Sequence, residues 1–331
     1  MKIRFALFLI AVLLSGAASA QQLKIATLAP DGSSWMSGFR EAAERIESLT
    51  EGRVSIRYYP GGVMGDTSAV LRRMRLGQLH GGAFTVGELG SIAPEVNLYS
   101  LPFTFETVDE IEALRERFDP LILDALAEGG TIAPGIALGG FAYLFSREPF
   151  PDPEALTTQW RVWVPSGDPL SLETLEATGV SPVPLPLADV YTALQTGTVN
   201  AFASTPSATI ILQWHTRARH MLDLPILMTA GTVGLDERAM RRLGDGDREI
   251  VLAELGSALE ALEASNHREN IQARTALENQ GIVIDQATAE QTRAWREIAE
   301  ATRARMTAEG RIEVPHLAEL EGELERLRAE P

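Results

Sequence analysis

The chain has 331 residues, no cysteine and a formal charge of −16. Its length exceeds what a single core usually serves, so two lobes are expected. The missing cysteine excludes disulfides, thiolate catalysis and cysteine-ligated metal, and the acidic balance disfavours nucleic acid and anionic membrane as partners.

Residues 1–20 read as a signal peptide. Lys2 and Arg4 open it, Phe5 to Leu14 is apolar, and Ala18-Ser19-Ala20 offers a small-residue cleavage site. The apolar run is short of the roughly 20 residues that a bilayer span takes. The mature chain is therefore expected to begin at Gln21 and to work outside the cytoplasm.

Leu23 to Leu28 reads as a first strand, running into Ala29-Pro-Asp-Gly-Ser-Ser34. Phe39, Ala42, Ala43, Ile46 and Leu49 then share one helical face. Val54, Ile56 and Tyr58 alternate as a second strand, broken by Gly61-Gly62. A helix with Val70, Leu71 and Met74 closes at Gly77 and leads to a strand through Ala83-Phe84-Thr85. Short connections between alternating strands and helices imply parallel pairing.

The pattern returns later in the chain. Arg161–Val164 is a strand, Leu170–Thr178 a helix, Val180–Pro186 extended, Asp189–Gly197 a helix and Val199–Ala203 a strand. Gly140 to Ser146 is the natural crossing strand between the two series. Apolar positions from Val251 to Leu277 predict one long helix over 247–280, followed by a short strand Ile282–Ile284 and a helix carrying Trp295, Ile298 and Met306. The Glu- and Leu-rich tail after Val314 reads as a surface helix. The expected partition gives lobe 1 residues 21–143 with about 224–255, and lobe 2 residues 144–223 with about 256–331, the long helix being shared.

Reaction chemistry is hard to find. No Gly-x-Ser-x-Gly elbow, Walker loop or Gly-x-Gly-x-x-Gly follows a strand. His215 and His220 are spaced wrongly for one helical face, and Asp245-Gly-Asp247 lacks the remaining calcium ligands and reads as an acidic helix start. Met221 and Met228 read as core. No metal, cofactor or catalytic residue is expected.

The segment Gln159-Trp-Arg-Val-Trp-Val-Pro165 and the turn Ser166-Gly-Asp-Pro169 stand out. Alternation puts Arg161 and Trp163 on one face. A cation and an indole beside a turn make a contact surface for a small molecule; a core tryptophan and a surface ion pair are the plainer readings. Phe84-Thr85 and Ser204-Thr205-Pro206 lie at strand ends, which in open parallel sheets face the ligand crevice.

With these segments placed, the chain resembles the periplasmic solute receptors of TRAP transporters, the DctP family. The resemblance rests on Tyr58-Tyr-Pro-Gly-Gly-Val-Met-Gly65, Leu101-Pro-Phe-Thr-Phe105 and Pro182-Val-Pro-Leu-Pro-Leu-Ala-Asp-Val-Tyr-Thr-Ala-Leu-Gln-Thr-Gly197. It implies an α/β, two-lobed periplasmic-binding-protein-like fold with crossing strands, hinge closure on a solute, and delivery to TRAP membrane permease subunits. Members that bind organic acids usually end this strand as Arg-Val-Pro, the arginine gripping a carboxylate. Aligned on Pro165, that position is Trp163 here; a two-residue slip preserves the face and puts Arg161 there instead. The family asparagine in Asp-Gly-x-Glu-Asn-Pro is Thr205.

Two losses of polarity point to a largely apolar or neutral ligand, since a buried carboxylate without its partner is costly. A subgroup with the same Trp-Val-Pro-x-Gly-Asp-Pro wording is similar to receptors of hydrophobic ligands, some working with a tetratricopeptide-repeat lipoprotein. The expected ligand contacts are Ser34, Trp35, Phe84, Thr85, Phe141, Arg161, Trp163, Thr205 and Trp214. A receptor for a small organic acid, with Arg161 as clamp, is the alternative. A secreted hydrolase and a receptor that signals through a sensor partner stand further off.

Overall fold

A computed structural model describes residues 20–329, so the expected signal peptide, apart from Ala20, lies outside the described residues. The first half alternates as expected: β1 (Gln21–Ala26), α1 (Ser34–Leu49), β2 (Val54–Tyr59), α2 (Thr67–Arg75) and β3 (Gly81–Thr85). Local chemistry sets the helix starts. Ser33 caps α1 by accepting from the Met36 amide at 3.3 Å, and Asp66 caps α2 by accepting from Ala69 at 2.9 Å. Helix α3 (Val108–Glu128) follows, then β4 (Thr131–Ile132) and the crossing strand β5 (Ala137–Ser146).

The second series is β6 (Arg161–Pro165), α4 (Pro169–Glu176), β7 (Ser181–Leu185), α5 (Val190–Thr196), β8 (Ala201–Ser204) and α6 (Pro206–Ile211). A 17-residue strand, β9 (His220–Asp236), returns through both halves. After the single turn α7 (Glu237–Met240) come the 35-residue α8 (Asp245–Asn279), β10 (Val283–Gln286), α9 (Ala289–Ala308) and α10 (Leu317–Ala329). Asp245 and Asp247 open α8, matching its positive end as the acidic pair suggested.

The strands join one sheet in the order β2-β1-β3-β9-β5-β8-β6-β7, with β4 and β10 pairing along β9. β1 is parallel to β2 and β3, and β6 is parallel to β7 and β8. The antiparallel pair β5–β9 links the two trios. Alternation along each trio feeds two cores. In lobe 1, Leu23 and Ile25 face α1 and α8, whereas Ala26 and Phe84 face α2 and α3. In lobe 2, Trp163 and Phe202 face α5 and the end of α8, whereas Val162 and Ala201 face α9.

The two longest elements without a counterpart in the pattern reading are β9 and α3, the short β4, α6 and α7 being the others, and one segment packs elsewhere. β9 is interrupted by Pro225 and two glycines, which hides its period. α3 carries Pro120 inside it, yet buries Ile111, Leu114, Phe118, Ile122 and Leu126 at helical spacing. The C-terminal helix corrects the expected partition. α10 was expected with lobe 2, but Leu320 and Leu324 complete the lobe 1 core beside α3, and Arg328 pairs with Glu110 at 2.7 Å. Its few leucines form one stripe, so it is a half-buried strap.

Candidate ligand crevice

The register of the crossing strands locates the crevice. β3 ends at Thr85, opposite Gly231, which pairs with Ala137 of β5. β8, running the other way, ends at Ser204, opposite Tyr143 of β5. The carboxyl ends of both trios therefore point at one gap, floored by Leu138–Ala142 of β5 and Leu227–Ala230 of β9. Parallel sheets place their ligands at such ends.

Against that gap the expected contact residues divide. Trp35 stands at its edge, its ring 3.3 Å from the position a Cβ would take on Gly231, with Nε1 donating to Asn266 Oδ1 at 3.3 Å. Ser34 is exposed in the same turn, and Thr85 is exposed at the end of β3, its amide donating to Glu88 at 3.0 Å. Thr205 caps α6 across the gap, accepting from Ala208 at 3.2 Å. Phe141 lies in the floor strand, but its ring joins the lobe 1 core.

Four others are corrections. Phe84 packs into the lobe 1 core, filling the space beside Gly82 and Gly234, because β3 turns that side toward α2. Trp163 is 7% exposed, and its Nε1 donates to the Leu185 carbonyl at 2.9 Å. Trp214 is 2% exposed and meets both Trp163 and Phe202 edge-on at 5.1 Å. These rings form the lobe 2 core, and only the exposed margin of Trp163 is open to a ligand.

Arg161 stands at the first residue of β6, the end away from the gap. Its Nε and one terminal nitrogen donate to the Gly197 carbonyl at 3.1 and 2.9 Å, and the other terminal nitrogen to Gln159 at 3.2 Å. A guanidinium on the carbonyl of Gly197, the residue that ends α5, is a helix C-cap. Alternation keeps Arg161 and Trp163 on one face but says nothing about which end meets ligand.

The polar floor went unread in the sequence. Asn266 and Asn270 lie one turn apart on α8 and reach β5, donating to the Leu138 and Gly139 carbonyls at 3.0 and 2.8 Å. Asn270 Oδ1 accepts the Ser207 amide of α6 at 3.1 Å. Gly140 has φ +104°, and a Cβ there would sit 2.5 Å from Asn270, so only glycine fits. Further along α8, Arg274 lies 5.9 Å from the Tyr143 ring centre and grips Asp223 with both terminal nitrogens at 2.8 and 2.6 Å. Those bonds hold the Asp223 carboxyl below its ordinary range, burial opposing and Gln286 assisting. Burial pushes the Tyr143 phenol up.

Charge around the gap is one-sided. The connections that leave the carboxyl ends, residues 27–33, 60–66, 86–107, 166–168 and 186–189, contain no Lys, Arg or His. They do contain acids, several already engaged: Asp66 and Asp168 cap helices, and Asp31 pairs with Arg40. Among the described residues no group of three or more His, Asp or Glu could hold a metal ion.

Residues 25–309 match the family model of the bacterial extracellular solute-binding proteins, family 7 (DctP). A solute-binding protein of Chromohalobacter salexigens is 30% identical over 173 residues, 52% of this chain and 50% of that protein, so the chain spans about half the length of that relative. The sialic acid-binding periplasmic protein SiaP of Vibrio cholerae is 25% identical over 72% of this chain and 75% of its own. A TRAP periplasmic solute binding protein of Ralstonia eutropha H16, with bound (S)-2-acetolactate, superposes with a TM-score of 0.84 at 21% identity, over 92% of this chain and 99% of its own. One from Sulfitobacter sp. NAS-14.1, with bound β-D-galacturonate, gives 0.82 at 19% identity over 92% and 100%. These likenesses confirm the two-lobed fold. Opposed strand ends over a crossing floor, and a family match over most of the chain, make this protein a member of the bacterial extracellular solute-binding proteins, family 7, a family of periplasmic receptors and not of enzymes.

Proposed function

We propose that the protein is the solute receptor of a TRAP transporter and takes a largely apolar or neutral small molecule into the gap between its lobes. The carrying observation is the absence of any Lys, Arg or His from the five connections that rim the gap. Arg161 is spent on carbonyls at the far end of β6, and Arg274 is matched by Asp223. An enclosed carboxylate would find no free cation in those connections, and desolvating it unpaired costs several kcal/mol. A neutral solute needs no such partner and gains from dehydration.

A second reading, a small organic acid, draws on the acids bound by the structural neighbours. In this chain it would require Arg274 to exchange Asp223 for ligand, not the Arg161 clamp. Native mass spectrometry of protein purified from its own periplasm, followed by identification of the mass released on denaturation, tests the choice. A neutral or lipid-like mass is expected. A low-mass carboxylate whose retention is lost in Arg274→Ala overturns it. The reading extends to TRAP permease subunits as partners and to a tetratricopeptide-repeat lipoprotein, which co-purification from the same membranes would test.

A further inference from the structure

Asn266 and Asn270 are polar residues in the middle of a helix, where asparagine has little reason to be unless its side chain is used. Both are used from each end. Asn266, 4% exposed, accepts from Trp35 of lobe 1 and donates to Leu138 of the floor. Asn270 accepts from Ser207 of lobe 2 and donates to Gly139 of the floor and to the Asn266 carbonyl.

The Ser207 amide is one of the first-turn donors that a helix leaves without an internal partner. Asn270 therefore completes the start of α6 from another element. Trp35 is the second residue of α1. Each amide thus holds the opening turn of one crevice helix, and both hold the same short stretch of crossing strand. That stretch is where β5 and β9 lose register, between Leu138 and Gly140. Gly139 there leaves no space for a Cβ beside Thr229, and the Thr229 hydroxyl donates to Gly140 at 2.8 Å.

We propose that Asn266 and Asn270 are positioning residues for solute capture, a polar pivot that fixes the angle between the lobes before and after closure. The proposal concerns the motion of the lobes and does not depend on which solute is taken. Hinge closure concentrates its backbone change in a few residues, and here the irregular stretch of β5 is gripped by two amides that also feel both lobes. A ligand touching Trp35 or Thr205 pushes on the same pair.

The cysteine-free chain permits a direct test. Spin labels at Val63→Cys and Ile211→Cys, both exposed and on opposite lobes, report the distance between lobes by double electron–electron resonance without any ligand. In Asn270→Ala the distribution should move to longer distance and broaden, whereas a residue that merely adds stability would lower the melting temperature and leave the distribution alone. Asn270→Asp keeps the acceptor for Ser207 but loses both donors, so it should broaden the distribution through the floor contact. Trp35→Phe keeps an aromatic side chain while removing the donor to Asn266 along with part of the indole's packing on Gly231, and serves where the Asn270 variants fail to fold. Parental distributions in folded Asn270→Ala, or in Trp35→Phe should Asn270→Ala not fold, overturn the proposal.

Discussion

The two ends of the parallel strands differ in chemistry. At the carboxyl ends the connections carry no cation and their acids are partly committed to helix starts. At the amino ends basic side chains gather: Arg161 caps α5, Arg53 pairs with Asp247 at 2.9 Å, and His80 accepts from the Lys24 amide at 3.1 Å. The contrast shows that a basic residue in a strand is informative only with its position along that strand. Basic side chains that stabilise the scaffold sit below, whereas the connections above carry acids and neutral side chains but no cation.

The largest expected effect probes the ring cluster that backs the upper end of β6. Trp163→Ala should cost about 3–5 kcal/mol, measured by urea denaturation, because it opens a cavity against Trp214. A loss of solute retention with little loss of stability would instead make Trp163 a surface contact and blur the distinction between core and crevice.

Next comes Arg161→Ala, a probe of the lower end. Loss of its carbonyl contacts should cost about 1–2 kcal/mol, since the group is partly exposed, with retention of the released solute unchanged. Lost retention in a fully folded variant would break the comparison. A smaller change is expected for Thr205→Ala at the rim: about 1 kcal/mol from the vacated cap, read as a lowered melting temperature.

The smallest effect concerns Asp223. Its carboxyl is depressed below 3.8 by Arg274, so its contribution is present above that pH and is lost as pH falls through the lower folded value. Asp223→Asn should flatten that part of the acid limb of a stability profile while lowering stability at neutral pH.

Much of this architecture was legible. Helical spacing of Phe39, Ala42 and Ile46, the alternation of Val54, Ile56 and Tyr58, and the apolar run from Val251 to Leu277 each gave the right element, because one buried face imposes a period. β9 was not legible, since a strand covered on both faces and broken by Pro225 shows none. The site was harder. Trp163 and Trp214 were placed in the crevice when they belong to the core, and a tryptophan's size does not say which. Asn266 and Asn270 gave only the weak signal of asparagine in mid-helix, which does not say whether the side chain meets water or carbonyls.

The return of α10 to lobe 1 bears on how the molecule is made. Leu320 and Leu324 seal a core begun by Ala26 and Phe84, so one of the two cores of lobe 1 waits for a helix nearly three hundred residues further along the chain. Until then the core beside α3 is incomplete, which favours a late completion of lobe 1 over strictly lobe-by-lobe folding. Chains cut short before Leu317 should therefore be handled by the cell as unfinished, although every strand of the sheet is already present.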